Sequence, residues 1–231
     1  MKILLLALLG MTSFLAGQGK TIQVRTFCFE FAPGARNVTV AGDLELMSSY
    51  DVPLKKTLPL EQQALTLASN KILIGAKDGA TLNVWADPTI PANTNEVMIV
   101  LFPSKNKEKP YHAALFDDSL RSHPLGTFRI ANYAPNSVRL VIGGSPVEIP
   151  SGKNTLVEEF PEKKANGQVA YFAYFKAGNE WKRVSTGFWD VIEKKRTLQI
   201  AYQNPFNNRL EIRGFEDSLP IMKALRAKQQ G

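Results

Sequence analysis

The chain has 231 residues, of which 44% are hydrophobic and 21% are charged, a composition that excludes a disordered polymer and is typical of a folded protein. Its net charge is +7 and it has one cysteine, so no intrachain disulfide can form and folding depends on the core. The basic residues are interleaved with acidic ones in stretches such as 105–109 and 193–196. This pattern favours solvated turns over a nucleic-acid surface.

The N-terminus is typical of a secretory signal peptide spanning residues 1–19. Lys2 precedes an apolar run that begins at Ile3, and small residues occupy positions 16–19. A membrane anchor would need about 20 predominantly apolar residues, and polar residues interrupt this run earlier. The sequence therefore predicts an exported protein, periplasmic or extracellular, with no transmembrane segment after signal removal.

Alternating apolar residues and turn signals predict seven strands in the first half of the chain. We expect them at residues 22–31, 38–41, 64–67, 71–74, 82–85, 97–102 and 112–116. Residues 58–70 also permit a short helix. Cys28 falls on the inward face of the first strand, where a buried structural thiol is the favoured interpretation over a catalytic or metal-binding one.

The second half contains two related segments, residues 127–144 and 197–214. Eight of their eighteen positions are identical at a constant offset of 70, where chance gives about one. Both alternate with a period of two around a turn rich in Pro and Asn, so each is interpreted as a hairpin. We expect Ile130, Leu140 and Ile142 in one segment, and their counterparts Ile200, Leu210 and Ile212, to point into equivalent cores. Arg139 and Arg209 are expected to point outward.

Further internal similarities link other parts of the chain. Residues 26–42 match 128–144 more weakly at an offset of 102, and residues 97–118 match 169–190 at an offset of 72. About eight short strands are predicted between 127 and 214. This strand spacing predicts an all-β protein with two tandem immunoglobulin-like β-sandwich domains.

The predicted domains cover residues 20–120 and 126–216, and residues 217–231 are predicted to form a short C-terminal helix and tail. The boundary is placed in the unpatterned segment 117–126. Whether the segment 127–144 closes the first domain or opens the second is left open by the sequence.

Residues 127–160, which read FRIANYAP, then VRLVIGG and VEIPSGKNTLV, resemble bacterial secreted proteins of no known activity that are built from tandem immunoglobulin-like β-sandwich repeats. Residues 197–214 show the same resemblance. It implies an exported β-sandwich in the bacterial envelope or outside it, and it supplies no catalytic residues.

No catalytic residue, metal ligand or cofactor is predicted. The two histidines, His112 and His123, are eleven residues apart without a tight ligand cluster. Ser145 lacks the pattern of a nucleophile elbow. The paired acids at 117–118, 158–159 and 216–217 are interpreted as solvated turn residues, because neighbouring strand residues point to opposite faces.

The densest aromatic region is residues 171–189. Either these side chains pack a core or they form an exposed platform that binds a glycan or polymer. The candidate ligand-binding residues are Tyr171, Tyr174, Trp181 and Trp189. We expect a non-catalytic interaction or structural module, with envelope proteins or polysaccharide as partners. The alternatives are a glycan- or polymer-binding module and a hydrolase with a site at the domain junction.

Overall fold

The computed structural model describes residues 19–229, so the predicted signal peptide lies outside the described residues except for Gly19. Within this range the chain forms sixteen β-strands and one α-helix. The predicted all-β class, the tandem sandwiches and the short C-terminal helix are confirmed. No helix in the described range is long and apolar enough to cross a membrane.

The first eight strands form two four-stranded sheets. They are β1 (Lys20–Cys28), β2 (Asn37–Ala41), β3 (Ser49–Pro53), β4 (Gln63–Leu67), β5 (Leu73–Asp78), β6 (Thr81–Ala86), β7 (Glu96–Pro103) and β8 (Tyr111–Asp117). Sheet I has the order β3-β2-β5-β6, and sheet II has the order β4-β1-β7-β8. The sequence pattern missed β3, whose residues are half-buried or exposed and therefore carry little apolar signal. Residues 58–70, for which the sequence also permits a short helix, contain strand β4 instead.

The next eight strands repeat this arrangement. They are β9 (Phe128–Tyr133), β10 (Val138–Ile142), β11 (Ser145–Ile149), β12 (Asn154–Val157), β13 (Gln168–Ala177), β14 (Glu180–Asp190), β15 (Arg196–Gln203) and β16 (Leu210–Asp217). Sheet III has the order β12-β9-β15-β16, and sheet IV has the order β11-β10-β13-β14. Sheet III has the same strand order as sheet II, and sheet IV has the same strand order as sheet I. In sheet III β9 runs parallel to β15, as β1 runs parallel to β7 in sheet II.

The four sheets stack in the order I, II, III, IV around three apolar layers. Cys28 and Ile99 belong to the layer between sheets I and II, whereas Phe27 and Val100 belong to the layer between sheets II and III. Phe128 and Leu140 belong to the third layer, between sheets III and IV. Because sheet II is covered on both faces, its central strand β7 is apolar on both faces from Val97 to Phe102.

The segment 127–144 is not a hairpin, and that prediction is wrong. β9 pairs with β12 and β15 in sheet III, whereas β10 pairs with β11 and β13 in sheet IV. Its sequence relative at 197–214 does form a hairpin, because β15 and β16 pair directly. Similar alternating strands around a Pro-containing turn therefore serve two different connections, one between sheets and one within a sheet.

The inward residues of the two segments consequently differ. Ile130, Leu140 and Ile142 are buried between sheets III and IV as expected. Ile200, however, is buried on the opposite side of sheet III, against the first sandwich. Arg209 is exposed, and Arg139 lies outside the core in an ion pair with Glu148, as predicted.

The C-terminal helix α1 (Leu219–Gln229) follows β16 directly. Asp217 accepts a hydrogen bond from the backbone N–H of Leu219 at 3.0 Å, and the Ser218 carbonyl accepts one from Met222 at 3.1 Å. Pro220 lies in the first turn, where its missing N–H costs no hydrogen bond. Leu219 is the buried residue of this helix, which rests beside the junction of the sandwiches.

Candidate functional site

The four predicted ligand-binding residues lie on two different faces of sheet IV. Tyr171 pairs with Ile142 and Trp189 pairs with Val169, so both rings are on the inner face. Their rings stack with centroids 4.1 Å apart and an interplanar angle of 16°. These two residues are half-buried against the third apolar layer.

Tyr174 and Trp181 are on the opposite, outer face. Tyr174 pairs with the outward-pointing Arg139, whose guanidinium lies 4.1 Å from the centroid of Trp181. A bulge separates Trp181 from Trp189, because Ala173 pairs with Ser185 but Tyr174 pairs with Arg183, which leaves one residue of β14 unpaired. One extra residue reverses the inward and outward positions along a strand, so the two tryptophans cannot share a face.

The outer face of sheet IV also carries Phe172 and Phe188, which are 39% and 53% exposed. The Lys164 ammonium lies 4.0 Å from the centroid of the Phe188 ring, and that of Lys176 lies 5.9 Å from Trp181. Cations at these distances are attracted by the negative face of an aromatic ring. We call this set of aromatic and basic side chains the aromatic–cationic face; its members are Arg139, Lys164, Phe172, Tyr174, Lys176, Trp181 and Phe188.

A second feature, which sequence reasoning missed, is a cluster of four buried charges between the sandwiches. Arg25 is in β1, Asp118 follows β8, Arg196 begins β15 and Asp217 ends β16, and none is more than 3% exposed. The interpretation of residues 118, 196 and 217 as solvated turn residues is therefore wrong for these three. The signal available in the sequence was Arg25, a charged residue in a predicted strand shortly before the apolar Phe27 and Cys28.

Each guanidinium in this junction cluster binds both carboxylates. Arg25 donates to Asp118 Oδ1 at 2.8 Å and to Asp217 Oδ1 at 2.9 Å. Arg196 donates to Asp118 Oδ1 at 2.6 Å and to Asp217 Oδ2 at 2.8 Å. Two of the four pairs thus connect the first sandwich to the second, and all four charges are compensated.

The ion pairs of the cluster favour the charged forms of Asp217 and Arg25. Burial alone raises the pKa of Asp217, but the hydrogen bond and charge of Arg25 and the charge of Arg196 lower it to about 2. Burial opposes the charge of Arg25, yet its bonds to Asp217 and Asp118 raise its pKa above the usual range. The polar groups at the junction therefore bind one another, as expected for a structural connection.

Two further basic residues lie beside the cluster, and neither pairs with a carboxylate of residues 19–229. Arg129 is 7% exposed and donates to Ser122 Oγ at 2.7 Å. His123 is 2% exposed, and burial together with the charges of Arg196 and Arg129 lowers its pKa to about 3. The side chain of His123 is therefore neutral at physiological pH.

The remaining candidates from the sequence are dispersed. Cys28 is fully buried, and burial raises the pKa of its thiol to about 12. His112 is exposed on β8. Within residues 19–229 no three His, Cys, Asp or Glu side chains come together in a group able to hold a metal ion.

The chain matches no protein-family model, and no curated protein shows significant similarity to it. The function is therefore argued from the geometry of its own surfaces.

Proposed function

We propose that this chain is a non-catalytic, exported interaction module of the cell envelope or extracellular space, and that it binds an acidic polysaccharide through the aromatic–cationic face. The observation that carries the proposal is the position of Arg139 over Trp181, on the same sheet face as the exposed Phe172 and Phe188. Exposed aromatic side chains on one sheet face, interleaved with basic residues, are a recurrent feature of binding surfaces.

The arrangement of the two sandwiches supports a binding role. The middle apolar layer and the junction cluster fasten sheet II to sheet III, so the aromatic–cationic face is held on one side of a four-sheet stack. A rigid support lowers the entropy lost when a ligand binds to such a surface.

The chemistry of the face favours a carboxylated polymer. Flat aromatic rings offer apolar area to the C–H surfaces of sugar rings, and the cations of Arg139, Lys164 and Lys176 complement carboxylates. Glu148 is the acid that pairs with Arg139, at 3.1 Å, and both side chains are partly exposed. An exposed pair of this kind is weak, so a polymer carboxylate can compete for the guanidinium.

The proposal is tested by affinity electrophoresis in gels containing polygalacturonate, with neutral dextran as the reference polymer. We expect retardation in the acidic polymer, and Trp181→Ala or Arg139→Ala to weaken it about threefold or more. Arg209→Ala is the matched control, because Arg209 occupies the corresponding position of the related segment and is exposed elsewhere. Equal retardation in dextran, or equal effects of the two arginine changes, contradicts the proposal.

Export is tested separately. The proposed location requires removal of the N-terminal segment, with cleavage between Ala16 and Lys20. N-terminal sequencing of the protein recovered from its native cell is expected to begin within this range. Recovery of a chain that still begins at Met1 contradicts the exported location and leaves the binding test unaffected.

A further inference from the structure

A slot opens between the inner faces of sheets III and IV, beside the edge strands β14 and β16. It has a volume of about 270 Å³. Its lining includes Phe128, Trp189, Thr197, Gln199, Gly214 and Glu216. Trp189 lines it from the inner face of sheet IV, and Phe188, a member of the aromatic–cationic face, lines it at the edge of that sheet.

Gln199 is the unusual residue of this slot. It is only 2% exposed, yet its side-chain oxygen Oε1 has no hydrogen-bond partner within the described chain. An unpaired buried polar atom is costly and calls for an explanation. Gly214 makes room for the amide, because a Cβ at this position would lie 2.7 Å from Gln199 Nε2.

At the position that corresponds to Gln199, the first sandwich has a leucine. The offset of 102 relates Thr26 to Phe128, and these residues pair with Ile99 and Thr197 on the equivalent strands β7 and β15. By the same register Leu101 corresponds to Gln199, and Leu115, the partner of Ile99, corresponds to Glu216, the partner of Thr197. The apolar residues Ile99, Leu101 and Leu115 of the first core thus correspond to the polar residues Thr197, Gln199 and Glu216 of the second.

The first sandwich is also closed at this edge. Its edge strands β6 and β8 contact each other, and the rings of Trp85 and Tyr111 lie 6.2 Å apart across this side. Because the two sandwiches share one strand order, packing alone does not require polar residues here. The polar side chains of the slot therefore need a reason other than the fold.

The charges around the slot favour a neutral ligand. Glu216 is paired with Lys195 at 2.7 Å. Asp190 also lines the slot, and Lys164 lies over Phe188, another lining residue, so a negative and a positive charge flank it. The Trp189 ring is held by the stacked Tyr171 and by an edge contact with Phe128 at 5.6 Å.

We propose that this slot binds one neutral sugar ring. A hydroxyl group donates to Gln199 Oε1 and another donates to Glu216, while the indole of Trp189 contacts the C–H groups of the ring. The volume lies just below the lower limit of about 300 Å³ for ligand pockets, which suits a single sugar unit. The site shares Phe188 with the aromatic–cationic face, but its sugar contacts are made by Gln199, Glu216 and Trp189, so it does not depend on the proposed function.

The experiment titrates the ¹⁵N-labelled protein with D-glucose, D-galactose, D-mannose and N-acetyl-D-glucosamine in separate NMR series. The readout is the indole N–H signal of Trp189, assigned with the variant Trp189→Phe. At least one sugar is expected to shift this signal saturably. The signal of Trp181, on the other side of the sheet, is expected to stay in place.

Gln199→Leu is the decisive variant. The first sandwich has a leucine, Leu101, at the corresponding position, so we expect the variant to fold. Thermal melting checks that it is folded. Its affinity for the sugar is expected to fall about tenfold. Gln203→Leu, on the same strand but bonded to Asn208 instead, is the matched control and is expected to bind normally.

Three results overturn the proposal: no shift of the Trp189 signal with any of the four sugars, a shift that persists unchanged in folded Gln199→Leu, or a saturable shift with choline chloride alone. The last result assigns the slot to a cationic ligand instead.

Discussion

Arg25 in the first strand and Asp217 in the last strand form a buried ion pair, although 192 positions separate them in the chain. Arg25 belongs to the first sandwich and Asp217 to the second. The pair shares its charges with Asp118 and Arg196. The two sandwiches are thus joined by a compensated polar cluster in addition to an apolar layer.

Removing one member of this cluster should be costly. Arg25→Met leaves Asp118 and Asp217 with one cation between them in a buried setting, so we expect a loss of about 3–5 kcal/mol in the free energy of unfolding. Chemical denaturation measures this loss. Lys77→Met, which breaks the exposed pair with Asp51, is the control and should cost less than about 1 kcal/mol. Equal costs would contradict a structural role for the cluster.

His123 should make stability depend on pH. Its pKa is lowered from 6.5 to about 3 by burial and by the charges of Arg196 and Arg129. Below pH 6.5 the unfolded chain binds a proton that the folded protein does not, so stability falls as the pH falls. From about pH 7 to about pH 5 this contribution amounts to about 2 kcal/mol.

The variant His123→Leu isolates this effect. It removes the titrating group, and the stability curve measured by denaturation between these pH values should become flatter than that of the unmodified protein. Asp217, whose pKa is lowered to about 2, keeps its charge over this range. His112→Leu changes the exposed histidine and should leave the slope as it was; the opposite ranking of the two variants would refute the assignment.

The related segments should respond differently to truncation of their matched leucines. Leu140 is fully buried, so Leu140→Ala should cost about 2–5 kcal/mol. Leu210 is half-buried on an edge strand, so Leu210→Ala should cost about 1 kcal/mol. Denaturant melts of the two variants give the comparison. Equal large losses would indicate that the two segments occupy equivalent core positions after all.

Cys28 should resist thiol reagents in the folded protein. The thiol is fully buried, donates to the Lys55 carbonyl at 3.5 Å, and has a pKa that burial raises to about 12. Because the thiolate is the reactive form, labelling with a disulfide reagent should require unfolding. Labelling in native buffer should therefore be slow and should accelerate across the denaturation midpoint. Rapid native labelling would place Cys28 at an accessible position.

Much of the fold is predictable because a β-strand leaves a pattern of apolar residues in its own few residues of sequence. Seven of the first eight strands, and about as many strands as the second half contains, follow from apolar runs or period-two alternation bounded by Gly, Pro and Asn. The alternation does not predict which other strand each strand pairs with. β9–β10 and β15–β16 read alike, yet the first pair crosses between sheets and the second forms a hairpin.

The candidate site was less predictable than the fold. Aromatic density in β13 and β14 correctly drew attention to sheet IV, but parity counted along β14 places Trp181 and Trp189 on one face. The bulge opposite Ala173 and Tyr174 reverses that parity, and no turn residue marks it in the sequence.

By itself, the sequence determined the strand content, the burial of Cys28, Leu140 and Ile142, and the outward position of Arg139, because each depends on neighbours within a few residues. Tertiary structure decided which sheets face each other, and with it the burial of Arg25, Asp118, Arg196 and Asp217. It also decided that the amide of Gln199 lies between two sheets without a partner. These properties depend on contacts between distant strands, and the free energy of such contacts is set by desolvation and charge pairing that local patterns do not encode.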